Sequence, residues 1–65
     1  MVGYVAKDEF DNEIYLHTEK PTYNDNLEGW YSAPDMINIT NQFPEFDSMS
    51  YTDEPIKVEI KLERI

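Results

Sequence analysis

The sequence predicts a mainly β fold: a small antiparallel sheet or open barrel of three to five short strands, with room for one short helical turn. Three observations predict it. Apolar and polar residues alternate at both ends of the chain, breakers interrupt the middle, and no segment carries an apolar stripe at helical spacing.

The C-terminal segment is the clearest element. Ile56, Val58, Ile60 and Leu62 alternate with Lys57, Glu59, Lys61 and Glu63. This period of two puts four apolar side chains on one face of a strand and four charged ones on the other. Pro55 stands at the entrance, where a strand tolerates a missing N–H.

The N-terminal segment reads as a hairpin. Val2, Tyr4 and Ala6 alternate with Gly3, Val5 and Lys7 in the first arm, and Ile14 and Leu16 with Tyr15 and His17 in the second. Asp11-Asn12 is the expected tip, since both residue types tolerate left-handed backbone. The register stays open: a slip of one residue exchanges Tyr15 and His17 with Ile14 and Leu16 across the sheet.

In the middle, Pro21 to Gly29 is rich in turn formers and is expected to be a loop, leaving Tyr23 exposed. Trp30-Tyr31-Ser32 is a candidate short strand, Ala33-Pro34-Asp35 interrupts it, and Met36 to Thr40 offers another. Asn41 to Tyr51 is expected to form turns, with Phe43 and Phe46 plugging one end of the core.

Length and charge narrow the function. A chain of 65 residues forms one domain with a marginal core. It has no cysteine and one histidine, so neither disulfides nor a thiolate or His-rich metal site can staple it. Compact packing, a homodimer or a partner must do so. Fourteen acids against five bases give a net charge of −9. Such a field repels nucleic acid and anionic membranes and attracts basic protein surfaces. No run approaches the roughly 20 apolar residues of a membrane span, and the N-terminus lacks a signal-peptide pattern, so the expected location is the cytoplasm.

The expected contact residues follow from charge and aromaticity. Asp8, Glu9, Asp11 and Glu13 crowd the first turn, while Asp53 and Glu54 precede the last strand. Brought together, they would form an acidic rim able to imitate rows of phosphates in a basic groove. Trp30 and Tyr31, joined by Tyr23 and Tyr51, are candidates for an aromatic patch within that rim, these being residue types that dominate binding hot spots. No catalytic, cofactor-binding or metal-binding residues are assigned. Neither acidic turn has the spacing of a calcium loop. His17, the sole imidazole, has no cysteine or elbow serine to activate and is expected at the surface or half-buried in its strand.

Phe43-Pro44 and Tyr51-Thr52-Asp53-Glu54-Pro55-Ile56-Lys57-Val58-Glu59-Ile60, with Ile14-Tyr15-Leu16, Lys20-Pro21 and Trp30-Tyr31-Ser32, resemble short proteins encoded by phages and prophages. In size and acidity the chain is also similar in type to small phage proteins that inhibit host defence, anti-CRISPR proteins among them. That resemblance implies a non-enzymatic inhibitor in a bacterial cytoplasm. Its partner would be a basic nucleic-acid-binding protein such as a CRISPR effector, blocked in guide or target engagement. A small self-associating structural or accessory protein of a phage or mobile element is the alternative.

Overall fold

The computed structural model describes residues 1–32 and 36–60. Among the described residues, six strands and one 3₁₀ turn make up the regular structure: β1 (Val2–Lys7), β2 (Ile14–His17), β3 (Thr22–Asn24), β4 (Gly29–Tyr31), β5 (Met36–Asn38), the turn Pro44–Phe46, and β6 (Ile56–Glu59). The fold is mainly β and open: one sheet runs β5-β2-β1-β6 and a second pairs β3 with β4. Every pairing is antiparallel.

The hairpin and the final strand form where alternation predicts them. Asn12 takes a left-handed φ of 59° at the β1–β2 tip. Asp11 closes that turn by accepting the N–H of Glu13 at 2.9 Å, the local bond that favours aspartate in turns. Beyond Ile60 the expected continuation of the last strand, with Leu62, lies outside the described residues, as does the Ala33–Asp35 interruption.

The stretch from Pro21 to Gly29 departs from expectation. Instead of a loop it supplies β3 and most of a hairpin turn, in register Thr22↔Tyr31, Tyr23↔Trp30 and Asn24↔Gly29. The Asn24 side chain accepts the N–H groups of Asn26 and Leu27 at 3.0 and 3.1 Å, and Glu28 turns the corner at a φ of 55°. This hairpin raises the strand count above the expected three to five.

Register settles which residues share a face. Val5 stands opposite Leu16 and Ile56, and Lys7 opposite Ile14. On this face Val5, Ile14, Ile39 and Met49 form the buried core, with Leu16, Phe46 and Val58 packed against it. Removing each such aliphatic side chain from water contributes about 1.5–3 kcal/mol. Phe46 plugs the core as expected, whereas Phe43 meets it edge-to-face and stays largely exposed.

The opposite face carries Tyr4, Ala6, Tyr15 and His17. His17 is completely buried there, not at the surface or half-exposed, because the β3–β4 unit lies on this side of the sheet. Several bonds attach that unit: the Asp8 carboxylate accepts the backbone N–H of Trp30 at 3.0 Å, the Phe10 N–H donates to the Glu28 carbonyl at 2.9 Å, and His17 Nδ1 lies 3.0 Å from Ser32 Oγ just past β4. Among the described residues no helix is long and apolar enough to cross a membrane.

Candidate functional site: an aromatic groove with acidic edges

The cross-strand pair Tyr23–Trp30 is the foundation of the site. Opposite residues on one face of a hairpin bring their side chains together, and these two rings meet edge-to-face with centroids 5.4 Å apart. Such a contact contributes about 0.5–1.5 kcal/mol beyond its buried area. A tight turn delivers Tyr51 to the same place. Within it the Asp53 carboxylate accepts the Ser50 N–H at 2.9 Å, and the Asp53 N–H donates to the Ser50 carbonyl at 3.0 Å. Trp30 Nε1–H then donates to the Tyr51 carbonyl at 3.2 Å, fastening the turn to the hairpin. The result is a cleft of about 440 Å³ lined by Tyr23, Trp30, Tyr51, Thr52 and Glu54.

Carboxylates edge this groove. The Tyr23 hydroxyl donates to Glu9, and Glu54 lines the cleft itself. The bond to Glu9 is the main reason the Tyr23 phenol is pushed up to about 12, helped by the nearby charges of Asp25 and Glu28. Tyr15 repeats the arrangement beside the first turn: its hydroxyl donates to Asp11 at 2.7 Å, which pushes that phenol up to about 12 as well. Asp11 and Glu13 also share a polar concavity of about 540 Å³ with Asp47 and Lys7.

The expected contact residues therefore divide. Tyr23, Trp30 and Glu54 meet in the groove with Tyr51, and Glu9 joins them through the Tyr23 hydroxyl. Asp11 and Glu13 form a separate acidic surface with Asp47. Asp53 is exposed, with one oxygen committed to its own turn. Two placements correct the expectation. Asp8 is 3% exposed, so it is an anchor beneath the β3–β4 unit and not part of a rim. Tyr31 pairs opposite Thr22 and so falls on the other side of the hairpin from Tyr23 and Trp30. Burial is the main cause of the upward shift of its phenol, with the charges of Asp8 and Asp11 adding to it.

Charge neutralisation within the fold is sparse. Among the described residues the single ion pair joins the Met1 amino group to Glu59 at 3.2 Å, with both partners largely exposed. No group of three or more His, Asp or Glu side chains among the described residues is arranged to hold a metal ion. His17 is buried, its imidazole pKa is pushed down by that burial, and its Nε2 has no hydrogen-bond partner. The arrangement offers a partner ring faces and hydrogen-bond acceptors.

Comparison of the chain with known proteins finds no match among family models, curated proteins or solved structures.

Proposed function

We propose that the chain is a non-catalytic binding protein that docks on the basic surface of another protein, and that the partner handles nucleic acid. The supporting observation is charge left uncompensated within the fold. The net charge is −9, while the one ion pair among the described residues uses the terminal amine, not a lysine. Self-repulsion of this size destabilises an isolated small domain, and a basic partner relieves it. CRISPR effectors are the first partners to test on this reading, with the bound chain standing where guide or target would lie.

The experiment is direct binding to purified CRISPR effectors, with and without guide RNA, at low and high salt. Salt-sensitive binding competed by guide or target supports the proposal. Binding that ignores both salt and competitor rules out occupation of a basic groove.

A second reading has its own observation. Val5, Leu16, Ile39, Phe43, Phe46, Val58 and Ile60, with Glu45 and Glu59, line a mostly apolar cleft of about 320 Å³ on the core face, and Ile37 and Ile56 are exposed on the two edge strands. Apolar surface of this kind also suits a second copy of the chain. Sedimentation of the protein alone and of Ile37→Lys separates the readings. A dimer that the substitution dissociates favours self-association, and a monomer at all concentrations eliminates it.

A further inference from the structure

The groove's hydrogen bonds point one way. Tyr23 turns its hydroxyl outward to Glu9, and Trp30 turns its indole N–H onto the Tyr51 carbonyl. Two of the groove's aromatic donors are thus already committed. What it presents to an incoming group is ring faces together with the exposed carboxylate of Glu54. An anion finds repulsion there, and an apolar side chain would strip water from Glu54 without replacing its hydrogen bonds. A cation bearing several N–H donors is complementary on both counts, since it is drawn to the face of an aromatic ring and to a carboxylate.

Shape distinguishes the two cationic side chains. The groove is open, built on the Tyr23–Trp30 ring pair and lined also by Tyr51. A planar guanidinium lies flat on such rings and keeps its edge free to bond a carboxylate through paired N–H groups. An ammonium is a compact, strongly hydrated point charge that gains less from an open site. We propose that the Tyr23–Trp30–Tyr51 groove, with Glu54 among its lining residues, is a receptor for a single arginine side chain of the partner protein. This rests on the basic-surface reading above and adds to it an anchoring residue of defined chemistry.

Trp30 is the chain's single tryptophan, so its emission reports occupancy of the groove directly. The full chain is titrated with a blocked Gly-Arg-Gly peptide and with its citrulline and lysine counterparts, following Trp30 fluorescence and heat. Citrulline keeps the shape of arginine and removes the charge. The expected result is a saturable change with the arginine peptide, roughly tenfold weaker binding of citrulline, and lysine in between. Glu54→Gln and Tyr51→Ala each weaken the arginine peptide by several-fold. Glu19→Gln removes one exposed carboxylate away from the groove and leaves binding unchanged.

Equal affinity for arginine and citrulline overturns the proposal, as does equal weakening by Glu54→Gln and Glu19→Gln. In the second case binding follows the overall field, so the basic-surface reading survives without the groove. Failure of the broader reading looks different: a polyarginine peptide then gives no heat even at low salt.

Discussion

The backbone N–H of Trp30 donates to the Asp8 carboxylate at 3.0 Å, joining the end of β1 to the edge of β4 across 22 residues of sequence. Gly29, next to Trp30, makes room for this bond: a Cβ there would stand 2.8 Å from the Asp8 carboxyl carbon. The same aspartate shapes the β1–β2 turn, donating its N–H to Glu13 and accepting that of Asn12. With the Phe10–Glu28 backbone bond and the His17–Ser32 contact, this side chain holds the hairpin that carries Tyr23 and Trp30 against the sheet.

Removing that acceptor exposes its contribution. Asp8→Ala leaves the Trp30 N–H unpaired and is expected to cost about 1–3 kcal/mol in denaturant unfolding. Asp8→Asn keeps an acceptor oxygen and removes the charge. Burial is the main cause that holds the Asp8 pKa above its ordinary 3.8; the charge of Asp11 adds to it, and the Trp30 N–H opposes it. A carboxyl with a raised folded pKa contributes most below pH 3.8 and loses that contribution as pH rises through its folded value. At neutral pH the asparagine variant should therefore match or exceed the parent in stability, and below pH 3.8 that advantage should vanish. Equal losses in the alanine and asparagine variants would mean the bond contributes nothing.

How much of this was legible depends on the range of the interaction. The β1–β2 hairpin and β6 are local patterns: Val5, Ile14, Leu16 and Val58 reach the core face because strand side chains alternate. The hairpin of β3 and β4 was hidden because Thr22–Asn24 is only three residues long, and its turn puts Glu28, not glycine or asparagine, at a left-handed φ. Residue type flagged Tyr23 and Trp30. Nothing local reveals that Tyr51 folds onto Trp30, that Asp8 goes beneath the β3–β4 unit, or that pairing turns Tyr31 away. His17 became buried through the register, which a single sequence leaves open.

That histidine sets a pH dependence. Burial pushes its pKa below the ordinary 6.5, so the folded state favours the neutral ring. Its contribution is intact above pH 6.5 and is lost as pH falls toward the folded pKa, where the unfolded chain takes up a proton that the folded chain refuses. Asp8, whose pKa burial raises, gains stability on protonation and so opposes the trend as pH falls through its folded pKa; the Asp8→Asn background removes that contribution. Thermal melts between pH 7.5 and 5 should show falling stability for the parent and a flatter profile for His17→Gln. Identical slopes would mean the imidazole is hydrated.

Two tyrosines, one in the groove and one beside the first turn, have a spectroscopic signature. Tyr15 and Tyr23 should ionise near pH 12, because Asp11 and Glu9 accept their hydroxyl protons. Glu9→Gln should return one phenol toward 10 in an ultraviolet titration, and Asp11→Asn the other. If Glu9→Gln leaves the late transitions untouched, the Tyr23 ring is not held by Glu9.

Salt should act oppositely on folding and on binding. Among the described residues the acidic side chains lack lysine partners within the fold, so screening relieves repulsion in the isolated chain. Moderate sodium chloride should therefore raise its melting temperature. Association with a basic partner should slow over the same range, since screening removes the long-range attraction that steers encounter. Asp53→Asn with Glu54→Gln should lower the association rate and its salt slope together, but the two residues act differently. Asp53 is tied to Ser50 at the turn and acts at a distance, whereas Glu54 lines the groove. Measured singly, Asp53→Asn should change mainly the association rate, and Glu54→Gln should also speed dissociation. An unchanged dissociation rate in Glu54→Gln would place the bound partner away from the groove.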